Sequence, residues 1–175
     1  MAYIENSSGS TLSSAQAITT SVASTNIFDV CGVGSTVAPT MIGAQGLSTA
    51  LGVDMGTGQT VSHPGVLFTV TTAGTGAGTI SFEIDAAPDN GSYSPGTYTP
   101  LTISQNFVGT ALTLGLQVYL PLPPVPSNYS GLPRFYRAYY TVASSATVSV
   151  TAEFVLNPPS VKSVQQYGSN FTSAF

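Results

Sequence analysis

Residues 112–120 read Leu-Thr-Leu-Gly-Leu-Gln-Val-Tyr-Leu, so Leu112, Leu114, Leu116, Val118 and Leu120 occupy every second position. Successive side chains of a strand point to opposite faces, and this alternation predicts a strand with one buried face. The same period recurs upstream. Val66, Phe68 and Val70 alternate with Leu67, Thr69 and Thr71, and Ile80, Phe82, Ile84 and Ala86 alternate with Ser81, Glu83 and Asp85. These two runs flank Gly74-Thr75-Gly76-Ala77-Gly78 and read as a hairpin. Shorter strand candidates are 16–22, 26–31 and 98–104, and no window of ten or more residues keeps a helical period with caps. The fold class that follows is all-β: a single antiparallel β-sandwich or jelly roll over residues 15–157. Residues 1–14, and residues 158–175 beginning with Pro158-Pro159, hold no sustained period and read as extended N- and C-terminal arms.

Charge placement selects a register for the last two strands, Arg134–Val142 and Thr147–Leu156, which Ala143-Ser144-Ser145-Ala146 joins. A two-residue loop would set Arg137 opposite Ala152, on the apolar face. A three-residue loop pairing Ala143 with Thr147 aligns Tyr136, Ala138, Tyr140 and Val142 with Phe154, Ala152, Val150 and Val148, and sets Arg137 opposite Glu153 on the other face. The second register is preferred, because burying an unpaired guanidinium costs several kcal/mol, about ten times what an exposed cross-strand pair contributes. The expected structural pair is therefore Arg137 with Glu153. The expected core comprises Phe68, Phe82, Ile84, Leu114, Leu116, Val118, Tyr140, Val150 and Phe154.

The chain has 175 residues, 42% of them hydrophobic but only 6% charged, with a net charge of −4. Ser and Thr number 23 each, and Gly and Pro add 18 and 12. Disorder goes with low hydrophobicity and high net charge, which is not this composition. Three basic residues, Arg134, Arg137 and Lys162, are too few to neutralise the phosphates on which nucleic-acid affinity rests. No apolar run reaches the 18 or so residues that span a bilayer, so no membrane partner is expected, and the N-terminus lacks a secretory pattern. The chain is expected to be cytosolic when made. A single cysteine, Cys31, allows no internal disulfide and reads as a small buried hydrophobe. Sequons at Asn6, Asn90, Asn128 and Asn170 are what chance supplies in so Ser/Thr-rich a chain.

Candidate chemistry is sparse. His63 is the sole histidine, which excludes a multi-histidine metal site, and no Gly-x-Ser-x-Gly elbow accompanies it. Glu83 and Asp85 share a strand face, where a carboxylate pair for glycoside hydrolysis or a cation is conceivable, but a solvated strand face is the simpler reading. Asp89-Asn90-Gly91 supplies turn chemistry. Gly74, Gly76 and Gly78 match no phosphate-binding loop. Tyr93, Tyr98, Tyr129, Phe135, Tyr136, Tyr139 and Tyr140 are numerous enough for a sugar-stacking platform, though half fit the buried face as well. No catalytic residue, cofactor or metal site is expected.

A further set of segments carries a resemblance. Gln16-Ala17-Ile18 followed by Ser24-Thr25-Asn26-Ile27-Phe28-Asp29-Val30, the Phe82 and Ile84 strand running into Asp89-Asn90-Gly91-Ser92, and Leu120-Pro121-Leu122-Pro123 leading into Leu132-Pro133-Arg134-Phe135-Tyr136-Arg137-Ala138-Tyr139-Tyr140-Thr141-Val142 are in this order. The chain over about residues 15–157 thereby resembles the jelly-roll capsid cement, or decoration, proteins of short-tailed bacteriophages. Its N-terminal arm is longer, and a tail of about eighteen residues is added. The resemblance implies a non-enzymatic virion protein on the outer surface of an icosahedral shell, assembled in the host cytoplasm. Its partners would be the major capsid protein of the same virus and further copies of itself, as a dimer or trimer, and it would brace coat junctions against internal DNA pressure. A lectin-like, carbohydrate-binding or tail-associated sandwich is the alternative.

Overall fold

The computed structural model describes residues 11–29, 64–92, 94–123, 133–155 and 164–166. They form β1 (Thr11–Ile18), β2 (Val22–Ala23), β3 (Phe28–Asp29), β4 (Gly65–Thr75), β5 (Thr79–Pro88), β6 (Thr99–Ile103), β7 (Phe107–Val108), β8 (Gln117–Pro121), β9 (Pro133–Ala143), β10 (Thr147–Val155) and β11 (Val164–Gln166). One sheet, A, has the order β1-β10-β4-β8-β11; the other, B, has the order β2-β9-β5-β6, with β3 also on β9 and β7 also on β5. Apart from β11, which lies parallel to β8, every pairing is antiparallel. With β11 set aside, counting β2 with β3 and β6 with β7 as interrupted single strands leaves eight. They are arranged 1-8-3-6 and 2-7-4-5 across the two sheets, which is the jelly roll.

This topology corrects both expected hairpins. β4 bonds to β10 and β8 while β5 bonds to β9, β6 and β7, so the glycine-rich segment between them is a corner that crosses from sheet A to sheet B. β9 and β10 likewise belong to opposite sheets. The period-two pattern is the same in a hairpin and in a corner, because in either case both strands turn their apolar residues to one core. Hence Tyr136, Ala138 and Tyr140 do meet the layer of Val148, Val150, Ala152 and Phe154, but across the sandwich and not along a ladder. The corners explain the glycines. A Cβ on Gly76, whose φ is +88°, would overlap the Ser145 carbonyl oxygen, and one on Gly78 would overlap that of Ala143. The two corners are thus packed backbone to backbone.

The core is dominated by rings. Phe68 stacks on Phe82 at 4.9 Å, Tyr140 stands edge-on to both at 6.1 Å, and Phe28 stacks on Phe154 at 4.4 Å. Seven of the nine expected core residues, Phe68, Phe82, Ile84, Val118, Tyr140, Val150 and Phe154, are buried. Leu114 is 70% exposed and Leu116 only half-buried. Strand β8 starts at Gln117, and the preceding residues form a 3-10 turn (Gly109–Ala111) and then a loop in which Gly115, at φ +82°, donates its N–H to the Val70 carbonyl. The alternation continues through a stretch that stays bonded to β4 but whose glycine, at positive φ, breaks the strand geometry, so that Leu114 faces solvent.

The N-terminal boundary also moves. Thr11 to Ser14 are part of β1, with Leu12 and Ser13 fully buried, so the expected arm ends before Thr11. A bulge in β1 places Ala15 at φ 46°, and its N–H bonds to Thr151 Oγ1 at 3.0 Å. Within the expected C-terminal arm, Val164–Gln166 adds a strand to the edge of sheet A, pairing with Gln117–Tyr119.

Candidate functional site

The charged groups gather on sheet B. Period-two alternation on β5 turns Ile80, Phe82 and Ile84 inward and Ser81, Glu83 and Asp85 outward, and the register sets Glu83 beside Tyr139 and Asp85 beside Arg137 on β9. Arg137 donates from Nε to Asp85 Oδ2 at 2.8 Å, and its Nη2 lies 2.8 Å from the same oxygen. Tyr98 lays its ring over the guanidinium, 3.9 Å from Cζ to the centroid, and the Tyr139 ring lies at 5.3 Å. Under this cover Glu83 is 8% and Asp85 3% exposed, which corrects the expectation of a solvated strand face. Burial pushes the Glu83 carboxyl up to about 7, helped by its hydrogen bond with Asp85 and by that residue's charge, with Arg137 acting in the opposite sense. Two carboxyls beside one guanidinium, with Tyr98 and Tyr139 against it, form a compact cluster.

A second unit of the same composition lies at the end of the sheet. Arg134 holds Asp29 of β3 with two bonds, Nε to Oδ1 at 3.0 Å and Nη2 to Oδ2 at 2.9 Å, and its Nη1 donates to Asp89 Oδ2. Its guanidinium lies over the Phe135 ring, 4.8 Å from the centroid. This fork-to-fork geometry ties β3, β9 and the turn after β5 together. In that turn Gly91, at φ +86°, donates its N–H to Asp89 Oδ1, and Ser92 N–H bonds to Asn90 Oδ1, each at 2.8 Å. Asp89-Asn90-Gly91 therefore does supply turn chemistry.

The expected pairing of Arg137 with Glu153 is corrected by the same geometry. Glu153 is on β10, in sheet A, between Thr11 and Leu67 on the neighbouring strands, whereas Arg137 finds its carboxylate across β9 and β5. What sequence reasoning missed was the pair of acid–arginine–acid units. Their signal was present in the chain: Glu83 and Asp85 two apart on one strand face, in a molecule with few cations to answer them. Of the seven charged residues among the described ones, six (Asp29, Glu83, Asp85, Asp89, Arg134 and Arg137) belong to these units, and Glu153 is the seventh.

The aromatic residues are mostly committed elsewhere. Phe135, Tyr136 and Tyr140 are buried, and Tyr98 covers Arg137. Tyr93, Tyr129, His63, Cys31 and Lys162 lie outside the described residues. Among the described residues no group of three or more His, Cys, Asp or Glu side chains is placed to hold a metal ion.

Fold and charge placement together define a class: a jelly-roll sandwich whose ionic groups close on one another at the sheet surface. Within it the chain belongs to the Bbp16 family, whose model matches residues 12–155, from the second residue of β1 to the last of β10. No curated protein matches the chain.

Proposed function

We propose that the protein is a capsid cement protein: a non-enzymatic jelly roll that binds the outer surface of a bacteriophage shell, self-associates, and braces the junctions between coat subunits. The observation that carries this reading is the closure of six charged side chains into two units, which leaves the exposed residues among the described ones mostly Ser, Thr and Ala. Short neutral side chains lose little rotamer freedom when they are covered, so a broad contact forms with little ordering penalty. The jelly roll itself serves viral capsids and lectins alike, which makes the fold compatible with this role without selecting it. The segments before Thr11 and after Val155, apart from the edge strand Val164–Gln166, would make the contacts with neighbouring molecules.

Co-sedimentation of the purified protein with undecorated capsid shells tests the reading. Binding should be saturable and should persist at about 1 M salt, where the Debye length falls to roughly 3 Å, because neutral contacts are hardly screened. Absence of co-sedimentation at every salt concentration rejects the proposal, and binding that salt abolishes rejects its physical basis.

A further inference from the structure

We propose that Asn90-Gly91 is a self-modification site, at which the folded turn converts Asn90 to aspartate or isoaspartate by attack of the Gly91 nitrogen, with Asp89 as the proton acceptor. Of the chain's seven asparagines only Asn90 precedes a glycine, whose missing Cβ leaves the attacking nitrogen unhindered. The fold adds two hydrogen bonds that the dipeptide alone does not possess. Gly91 N–H is held by Asp89 Oδ1 at 2.8 Å, within reach for proton transfer as the nitrogen becomes a nucleophile. Ser92 N–H is held on Asn90 Oδ1 at 2.8 Å, where it polarises the amide carbonyl and stabilises the oxyanion that attack creates. Asp89 is in turn fixed by Arg134, whose Nη1 takes Oδ2 and leaves Oδ1 for Gly91. The acceptor thus already bonds the attacking nitrogen, and the oxyanion donor already bonds the amide oxygen that attack would charge.

The chemistry balances with water as the only co-reactant. The Gly91 nitrogen forms a bond to Asn90 Cγ while its proton passes to Asp89; that proton then goes to Nδ2, the Cγ–Nδ2 bond breaks, and ammonia leaves a five-membered succinimide. Water adds to one of the two imide carbonyls and opens the ring, giving aspartate by one cleavage and isoaspartate by the other. Asn90 and Gly91 are exposed, and nothing lies within 4 Å of the space a Cβ would take on Gly91, so water reaches the ring. Either product adds a carboxylate next to the Asp29–Arg134–Asp89 unit. Isoaspartate also lengthens the backbone of a turn closed by Asn90 N–H on the Ser94 carbonyl and Gly96 N–H on that of Pro88.

The test follows the full chain in mildly alkaline buffer at body temperature, native in one arm and unfolded in guanidinium chloride in the other. Peptide mapping reads the mass gain of amide-to-acid conversion at each asparagine. Position 90 should convert faster in the native arm than in the unfolded one, and Asp89→Asn should slow the native arm alone, roughly a hundredfold if Asp89 acts as a positioned proton acceptor. A native rate equal to or below the unfolded rate overturns the proposal, as does a folded Asp89→Asn variant that converts at the wild-type rate. Should Asp89→Asn not fold, the wild-type comparison between the two arms decides by itself.

Discussion

The two faces of β5 are removed from solvent to nearly the same degree and are held by opposite physics. Inward, Ile80, Phe82 and Ile84 join a cluster of rings from four strands; outward, Glu83 and Asp85 lie under a guanidinium and a tyrosine ring. The inner face gains from every apolar atom it hides. The outer face hides groups that prefer water and recovers the loss only while each has its partner. A low exposure therefore says nothing by itself about which force acts, and substitution separates the two. Removing bulk should damage the inner face, whereas removing one charge should damage the outer face through the charges left behind.

The largest effect is expected inside. Phe82→Ala removes a ring packed against Phe68, Phe107 and Tyr140 and should destabilise the sandwich by about 3–5 kcal/mol in chemical denaturation. A loss below about 1 kcal/mol would mean that the neighbouring rings close the cavity and that the inner face is plastic. Outside, Arg137→Ala leaves Asp85 and Glu83 buried without their cation. The loss should be about 2–3 kcal/mol, below the 3–5 of a fully buried pair because the Arg137 side chain is 25% exposed. Combining Arg137→Leu with Asp85→Leu should recover most of that loss. If the double variant is no better than the single, the arginine stabilises through its stacking on Tyr98 and not through its charge.

The comparison also has a pH dependence, readable as the stability difference between wild type and Glu83→Gln. The Glu83 carboxyl rises from 4.5 to about 7 on folding, so between these values the folded state binds more protons than the unfolded state. Stability from this group is therefore fully present below about 4.5 and is lost as pH rises to about 7. Glutamine cannot titrate and keeps a donor for Asp85, so the variant should gain on the wild type as pH climbs through that window. Thermal melts at a series of pH values give the difference curve, and a curve without slope there shows that Glu83 is solvated.

How much of this was legible in the sequence follows from what period two encodes. It reports which residues share a face, and so it identified Phe68, Phe82, Ile84, Val118, Tyr140, Val150 and Phe154 as core. It carries no record of which strand lies alongside, and there the reading of Arg137 with Glu153 failed: a corner between sheets and a hairpin within one sheet have the same alternation. Nor can it recognise a turn that preserves the pattern, as at Leu114 and Gly115. The acid–arginine–acid units depend on strand neighbours, β5 with β9 and β3 with β9, and so became visible only with the topology.

The smallest expected effect falls where the two kinds of burial meet. Tyr140 is an inner-face ring that ends in a hydroxyl, and its O–H donates to Ser13 Oγ at 2.7 Å. Ser13 donates in turn to Gln16 Oε1 at 2.7 Å, and Gln16 reaches the Ala23 carbonyl through Nε2 at 2.8 Å. This chain of polar groups crosses the bulge in β1 and fastens it to sheet B, and burial drives the Tyr140 phenol well above its usual range. Tyr140→Phe removes the donor but leaves Ser13 its bond to Gln16, so the loss should be about 1 kcal/mol. Ser13→Ala strands the phenol in the core without an acceptor and should lose about 1–3 kcal/mol, more than the tyrosine variant although it deletes a single oxygen. Urea midpoints in that order show that the inner face obeys the rule of the outer one wherever it carries a polar atom. The reverse order would mean that the ring edge, and not the hydrogen bond, anchors β1.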